Sequence, residues 1–458
     1  MTAMTRRRLL ALTGGLAALG IAPGVAQAGL NLGPATPFNA ETVAVRARQL
    51  ATRAHVPPPT ISRDWRALSY DTFRKIWFDP RHALFRDTGG AVQADLLLAG
   101  QFFTHKITLN AVEGGAARPV AFDLAAFART DRFPDLDPEG TGYAGVRLRG
   151  ELEAAGRFQE YAVFQGASYF RAIGRGHGYG ISARGLALGT GEPGGEEFPV
   201  FREFWIEAAA PGAPSVRVHA LMDSPSVTGA YSFVITKGDT TEMQVSARLF
   251  PRVDLPTVGI APGTSMFLFG GINRPQFDDF RAAVHDSDGL LMMNGAGEVL
   301  WRPLNNPATL QISAFGDNGP RGFGLMQRAR DLRDYNDLEA RYDRRPSLWV
   351  EPEGDWGPGS VILLEIPTDK ETNDNIVAFW RPAAPLAAWQ EHRIGYRLHW
   401  CGTAPAEGAV APVIATRTGA RVFEEGRLFA IDYAAHPALG DDPSRIEARV
   451  TTSAGAIS

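Results

Sequence analysis

Turn residues break this chain into short segments along nearly its whole length. Its 458 residues include 50 glycines and 32 prolines, roughly 18% of the chain against about 12% in average usage. One stretch, Ala40 to Arg53, has apolar residues at helical spacing and ends before Pro57-Pro58-Pro59. Most segments that follow are short apolar or alternating runs, the pattern of β-strands. The sequence therefore predicts an all-β fold.

Two pairs of such runs predict neighbouring strands. Ser232–Thr236 and Glu242–Arg248 flank Lys237-Gly238-Asp239, whose composition predicts a hairpin turn. Ser360–Ile366 and Asn375–Trp380 form a second pair. Both pairs predict a sheet with polar loops at its ends.

A Pro- and Ala-rich segment, Pro382 to Trp389, predicts a domain boundary. It divides a large β-sandwich over 29–384 from a smaller β-domain over 390–458. The smaller part has room for four or five strands, including one at Ile446–Thr452. An immunoglobulin-type sandwich needs about seven strands and about 100 residues. We therefore expect an immunoglobulin-like sandwich that is incomplete.

The first 28 residues have the features of an export signal. A basic segment with Arg6-Arg7-Arg8 precedes an apolar stretch, Leu9 to Ala22, and then Ala26-Gln27-Ala28. The arginines indicate the twin-arginine route. A membrane anchor is the alternative, but a spanning helix needs about 20 apolar residues. We expect cleavage after Ala28 and a periplasmic protein.

Charge and composition exclude several classes of function. The formal charge of −4 gives no electrostatic case for nucleic-acid binding. Cys401 is the single cysteine, so an internal disulfide or a cysteine-based zinc site is excluded. The nine histidines show no HExxH spacing. The Gly-rich run Gly174 to Gly180 precedes a strand-like segment and does not match a nucleotide fingerprint. We predict neither metal nor cofactor.

Carboxylates and aromatic residues are concentrated between residues 285 and 381. His285-Asp286-Ser287-Asp288 and Glu371-Thr372-Asn373-Asp374 stand in loops beside predicted strands. Two carboxylates across a cleft are the minimal apparatus for glycoside hydrolysis, one as acid and one as base. Asp and Asn are also ordinary turn residues. The residue types alone therefore leave a structural role open.

Several longer segments resemble the periplasmic glucan biosynthesis proteins, the MdoG/MdoD family, also called OpgG/OpgD. The segments that carry the resemblance are Tyr342–Pro352, Gly354–Gly357, Asp374–Trp380, Gly166–Arg171, Ser182–Leu186 and Pro320–Leu325. The twin-arginine-type leader favours the D-type branch. The resemblance implies a large, galactose-mutarotase-like β-sandwich joined to the smaller immunoglobulin-like one.

The resemblance also implies a function in making osmoregulated periplasmic glucans, whose backbone is β-1,2-linked glucose. D-type members are similar to endo-acting, anomer-inverting β-1,2-glucanases. By that likeness, Asp374 matches the general acid and Asp286 the general base, which acts on water through a relay. Glu371, Thr372, Tyr342 and Arg345 match residues that line the sugar cleft.

The proposed acid must be protonated near neutral pH. We expect partial burial or a neighbouring acid such as Glu371 to raise the pKa of Asp374. Hydrolysis and transglycosylation are both open. So is a non-hydrolytic glucan-binding or branching factor, or a protein that docks on the membrane glucan synthase. A homodimer is open as well.

Overall fold

The computed structural model describes the chain in four segments. These are residues 29–128, 133–405, 411–440 and 442–457. The predicted leader, residues 1–28, lies outside the described residues. Within these segments there are three α-helices, α1 (Ala40–Ala51), α2 (Arg63–Arg66) and α3 (Tyr70–Phe73). The short 3₁₀ helices are Pro80–His82, Arg86–Thr88, Leu124–Ala126, Pro138–Gly140, Arg274–Gln276, Leu332–Asp334, Tyr342–Arg344, Pro437–Leu439 and Pro443–Arg445.

Strands account for most of the regular structure. In chain order, the first half of them are β1 (Thr36–Pro37), β2 (Trp77–Phe78), β3 (Val92–Leu98), β4 (Thr108–Glu113), β5 (Ala116–Pro119), β6 (Phe127–Ala128), β7 (Tyr143–Glu151), β8 (Phe158–Gln165), β9 (Tyr169–Ala172), β10 (Ser182–Arg184), β11 (Ala187–Leu188), β12 (Val200–Glu207), β13 (Ser215–Asp223) and β14 (Val227–Thr236). The others are β15 (Thr241–Pro251), β16 (Val258–Ser265), β17 (Phe267–Phe269), β18 (Val284–His285), β19 (Gly289–Met293), β20 (Val299–Pro303), β21 (Gln311–Asn318), β22 (Gly322–Met326), β23 (Ser347–Glu353), β24 (Pro358–Glu365), β25 (Ile376–Pro382), β26 (His392–Cys401), β27 (Val413–Ala420) and β28 (Arg427–Tyr433).

Two large sheets form the body of the protein. The first sheet has twelve strands in the order β1-β5-β4-β12-β13-β14-β15-β26-β23-β22-β19-β20. The second has ten, in the order β21-β24-β25-β16-β10-β9-β8-β7-β3, with β11 pairing β16. The all-β prediction is confirmed.

Aromatic residues from both sheets meet in the core between them. Phe164 and Phe170 of the second sheet lie with ring centroids 5.0 and 5.1 Å from Phe233 of the first. Trp400 packs edge-on against Phe170 at 6.1 Å. All four side chains are buried. Burying each such ring contributes about 2 kcal/mol, so this cluster holds the two sheets face to face.

Helix α1 covers part of the outer face of the first sheet. The Asn39 side chain caps it by accepting the N–H of Thr42 at 3.1 Å. Val43 and Ala47 on its buried face belong to a second apolar cluster with Trp205 of β12. The predicted helix over Ala40–Arg53 is thus confirmed, ending at Ala51.

The predicted strand pairs are also confirmed. β14 and β15 pair antiparallel with Thr236 opposite Glu242, and β24 pairs antiparallel with β25. The register of β25 matters for the site, because Ile376 at its start pairs with Ser265 at the end of β16.

The domain boundary predicted at Pro382–Trp389 was placed too early. β26 begins at His392 and pairs with both β15 and β23 inside the first sheet. Its alternate residues Tyr396, Leu398 and Trp400 are buried in the main core. The Pro- and Ala-rich segment is therefore a loop between the two sheets, and the large sandwich extends to Cys401.

Past that strand, the described residues contain one antiparallel hairpin, β27 with β28. The strand predicted at Ile446–Thr452 is not formed, since residues 446–452 have no regular structure. The immunoglobulin-like assignment of this segment stays a prediction.

Candidate active site

Two loops bring Asp286 and Asp374 to opposite sides of the same backbone segment. Asp286 follows β18, and its N–H donates to the carbonyl oxygen of Met266 at 2.8 Å. Asp374 stands two residues before Ile376, which pairs with Ser265. Both acids are therefore placed by residues 265–267, at the end of β16.

Asn375 fixes the loop that carries Asp374. Its side-chain oxygen accepts the N–H of Phe267 at 2.8 Å, and its amide donates to the carbonyls of Phe267 and Ile366, each at 3.0 Å. The side chain is buried. A buried amide with these three bonds holds the neighbouring Asp374 in a defined position.

Asp286 is buried, and its charge has one close partner. Its Oδ1 lies 3.5 Å from Nη1 of Arg345 and accepts no hydrogen bond from the described residues. Burial raises the pKa of this carboxyl from 3.8 to about 6. The negative charges of Asp374 and Glu371 raise it too, whereas Arg345 and Arg171 lower it. The charge of Asp374 is therefore one of those that act on Asp286.

Asp374 differs from Asp286 in its access to water. Much of its surface is open to solvent, yet the surrounding protein removes enough water to raise the pKa of its carboxyl. Arg184, Arg171 and Arg345, in that order, act against this rise. The rise in the pKa of Asp374 agrees with the expectation for a general acid. Glu371, which was expected to raise the pKa of Asp374, raises that of Asp286 instead.

The four predicted cleft residues lie around this pair. The Tyr342 hydroxyl donates to Oε2 of Glu371 at 3.0 Å, and Arg281 donates to the same oxygen at 2.7 Å. Arg345 is held by backbone carbonyls, those of Ala340 (3.0 Å) and Tyr179. Thr372 is exposed beside Glu371 in the loop between β24 and β25, and its side chain makes no hydrogen bond within the described residues.

The buried side chain of Gln327 connects His285, which precedes Asp286, with Tyr342. Its Nε2 donates to the carbonyls of His285 at 2.7 Å and Tyr342 at 3.2 Å, and its Oε1 lies 2.8 Å from Nδ1 of His285. Burial lowers the pKa of His285 to about 4, so the ring is neutral at pH 7 and donates from Nδ1. This hydrogen bond fixes the His285 ring next to Asp286 in the chain.

The sequence analysis did not identify two arginines near Asp374, Arg171 and Arg184, or the tyrosine rings that they face. Arg184 donates from Nε to Thr264 at 2.9 Å, and its guanidinium lies 4.8 Å from the ring centroid of Tyr169. Arg171 lies 4.6 Å from the ring centroid of Tyr179. Both arginines lower the pKa of Asp374. The signal was present, because each belongs to one of the segments that resemble the glucan biosynthesis proteins, but no spacing ties either to an acid.

This arrangement suits acid–base chemistry. It offers two acids with raised pKa values, three arginines and aromatic rings. Among the residues that the structure describes, no group of three or more His, Cys, Asp or Glu side chains is placed to hold a metal ion. A search of the same residues finds no helix with the length and apolar character needed to span a bilayer.

Comparison with known proteins relates nearly the whole described part of the chain to one family. Residues 38–458 match the family model "Periplasmic glucan biosynthesis protein, MdoG". A Vibrio cholerae serotype O1 protein named "Glucans biosynthesis protein G" is 49% identical over 427 residues, 92% of this chain and 78% of that protein. A Rhodopseudomonas palustris protein of the same name is 47% identical over 412 residues, 90% of this chain and 82% of that one.

Both relatives bear the G-type name, whereas the leader favoured the D type. Similarity over most of the chain is the stronger observation, so the D-type preference is withdrawn. Among solved structures, the α-galactosidase AgaB of Geobacillus stearothermophilus matches with a TM-score of 0.28 and 8% identity, over 56% of this chain and 38% of that one. A likeness at that level supports no conclusion.

Proposed function

The chain belongs to the MdoG family of periplasmic glucan biosynthesis proteins, and from that premise we propose that it cleaves β-1,2-glucan in the periplasm. The proposed activity is that of an inverting, endo-acting glucanase or transglycosylase that trims the glucan. Asp374 acts as the general acid and Asp286 as the general base. The observation that carries the proposal is the position of the two acids on either side of residues 265–267, together with the rise that burial gives to both of their pKa values.

Substrate binding explains how Asp374 takes the acid role. Asp374 is open to water, and Asp286 is already buried. A saccharide that fills the cleft removes water mainly from Asp374. Loss of water disfavours the charged form of a carboxyl, so its pKa rises further and the proton needed by the leaving oxygen is retained.

Asp286 keeps the base role because its partner remains in place. Arg345 lies 3.5 Å from its carboxylate and is itself held by backbone carbonyls. With a pKa of about 6, this carboxyl is mostly ionised at pH 7. The hydroxyl of Tyr342 and the carboxylate of Glu371 stand nearby, joined by a hydrogen bond, and are suited to pass a proton toward it.

The reaction then balances with these groups alone. Water attacks the anomeric carbon as the glycosidic C–O bond breaks. The proton of Asp374 goes to the leaving oxygen, and a proton of the attacking water goes through the relay to Asp286. In transfer, a sugar hydroxyl replaces the water. Attack from the face opposite the leaving group inverts the anomeric configuration.

The test is release of reducing ends from purified linear β-1,2-glucan. Asp374→Asn abolishes release while leaving glucan binding largely intact. Asp369→Asn is the matched control, because Asp369 is an exposed acid of the same loop; this variant keeps wild-type activity. If Asp374→Asn cleaves at the wild-type rate, the assignment of the acid is refuted.

A second candidate is a non-hydrolytic glucan-binding or branching factor, or a factor that docks on the membrane glucan synthase. The observation in its favour is that the relatives are named for biosynthesis. The two candidates separate in the same assay. A protein that binds β-1,2-glucan and releases no reducing ends, in wild-type form, supports this second function.

A further inference from the structure

A phenylalanine stands at the tip of a tight turn, where polar residues are usual. Gly100 and Phe103 exchange backbone hydrogen bonds at 3.1 and 2.9 Å, which leaves Gln101 and Phe102 at the tip. The Phe102 side chain is 83% exposed. Gln101 has φ of 51°, a left-handed conformation that is costly for a residue with a side chain and is often found at functional sites.

This turn is firmly attached to the body of the protein. The N–H of Gln101 donates to the carbonyl of Trp65 at 3.2 Å, and its side-chain amide donates to that of Leu68 at 3.1 Å. Trp65 is fully buried. The exposure of Phe102 is therefore built into the fold and does not result from a loose loop.

Phe102 borders a cavity of about 350 Å³ on the outer face of the second sheet. Ala167, another residue in the left-handed region with φ of 44°, also lines the cavity. The lining combines aromatic rings with a few polar groups, as in sites that bind small molecules. The side chains used in the argument below are Phe102, Gln165, Tyr169, Arg171 and Ser182.

The cavity and Asp374 share two neighbours. Tyr169 and Arg171 line the cavity, and both interact electrostatically with Asp374. Ser182 stands beside Arg171 in the register of β9 and β10, because Ala183 pairs with Phe170. From β25, which follows Asp374, the path crosses β16, β10 and β9 to β8. Four strand spacings amount to about 19 Å, several times the width of one sugar ring.

We propose that this cavity is a remote saccharide subsite, in which Phe102 is the platform for a glucosyl unit of the chain whose cleavage point lies at Asp374. The inference rests on the proposed function and extends it, because it makes chain length a determinant of affinity. The flat ring of Phe102 matches the C–H face of a pyranose, and the Gln165 amide and Ser182 hydroxyl suit sugar hydroxyls. Short glucans that occupy the acid pair do not reach Phe102.

The test measures affinity against chain length by calorimetry, with β-1,2-glucans of two to about ten glucosyl units. The Asp374→Asn background prevents cleavage during the titration. Adding Phe102→Ala weakens binding of the longest glucans about tenfold and leaves binding of the shortest unchanged. Phe102→Trp restores the affinity, because it keeps an aromatic face. Trp389→Ala is the control, an aromatic residue 71% exposed at another site, and changes neither affinity.

The outcomes separate the two proposals. Equal affinity of the Phe102→Ala and parent proteins for the longest glucans overturns the subsite and leaves the proposed function standing. An equal loss for short and long glucans also overturns it, since that pattern indicates a structural role. If the parent protein binds no β-1,2-glucan of any length, the proposed function and the subsite are both refuted.

Discussion

Replacing Asp286 by Asn is expected to stabilise the protein at neutral pH while removing its proposed catalytic base. The carboxyl is buried, its Oδ1 accepts no hydrogen bond from the described residues, and its nearest cation is Arg345 at 3.5 Å. Asn has the same shape and carries no charge. Arg345 keeps its bonds to the carbonyls of Ala340 and Tyr179 in the variant, so the substitution leaves no cation without partners.

The size of the stabilisation by Asp286→Asn, and the pH range in which it appears, follow from the pKa of Asp286. Asp286 titrates at 3.8 in an ordinary environment and at about 6 in the fold. Between these values the folded state binds more protons than the unfolded state, so stability falls as pH rises. The wild type therefore loses about 3 kcal/mol through this group in total, as the pH rises from below 3.8 to 7. Asp286→Asn avoids that loss, and its advantage is small at pH 4 and nearly complete at pH 7.

Chemical denaturation at pH 4 and pH 7.5 measures this difference. Asp288→Asn is the matched control, because burial also raises the pKa of Asp288 to about 6 and its carboxylate accepts the N–H of Arg328, away from the Arg345 contact of Asp286. It gives the same direction of pH dependence but retains glucan cleavage, whereas Asp286→Asn loses it. A variant at 286 that is destabilised at pH 7.5, or one whose advantage is equal at both pH values, refutes the reasoning.

Three more substitutions test residues whose interactions hold the site in place or set the pKa of Asp286. Tyr342→Phe removes the hydrogen bond to Glu371, and we expect a loss of about 1 to 2 kcal/mol in unfolding free energy with a lower kcat. Asn375→Ala removes the partner of three backbone groups, of which the two of Phe267 are buried and that of Ile366 is partly buried; denaturation should show a cost of about 3 kcal/mol, and kcat should fall more than KM changes. Arg345→Met removes the cation that lowers the pKa of Asp286, so the acidic limb of the kcat/KM profile should move to higher pH; an unmoved limb contradicts the base assignment.

Local structure was predictable because its causes are local. Alternating apolar residues and a Lys237-Gly238-Asp239 turn specify β14 and β15, and the two strands form an antiparallel pair. The cap at Asn39 and the apolar spacing after it specify α1. In each case the side chains that decide the structure lie within a few residues of one another.

The placement of β26 was not predictable in that way. Tyr396, Leu398 and Trp400 alternate with polar residues, which indicates one buried face but not the sheet that buries it. A Pro- and Ala-rich segment before a strand is equally consistent with a linker and with a crossing between two sheets. The pairing with β15 and β23 depends on contacts that are distant in sequence, and this is why the boundary was misplaced.

The candidate site also combines features that the sequence predicts with features that depend on contacts distant in sequence. Family resemblance selected Asp286 and Asp374, but residue types and loop positions could not show that both flank residues 265–267. Nor could they reveal that Arg171 and Arg184 act on Asp374, because that proximity arises from the pairing of β9, β10 and β16.

The unequal access of the two acids to water has a consequence for the proposed mechanism. Asp286 has its pKa set by the fold, since its burial does not depend on a ligand. Asp374 is open to solvent, so its protonation depends on how completely a substrate covers it. A glucan long enough to reach Phe102 is held across the whole path and excludes water from Asp374 for longer than a short fragment does. Chain length should therefore affect kcat as well as affinity, with the longer glucans shifting the basic limb of the kcat profile to higher pH.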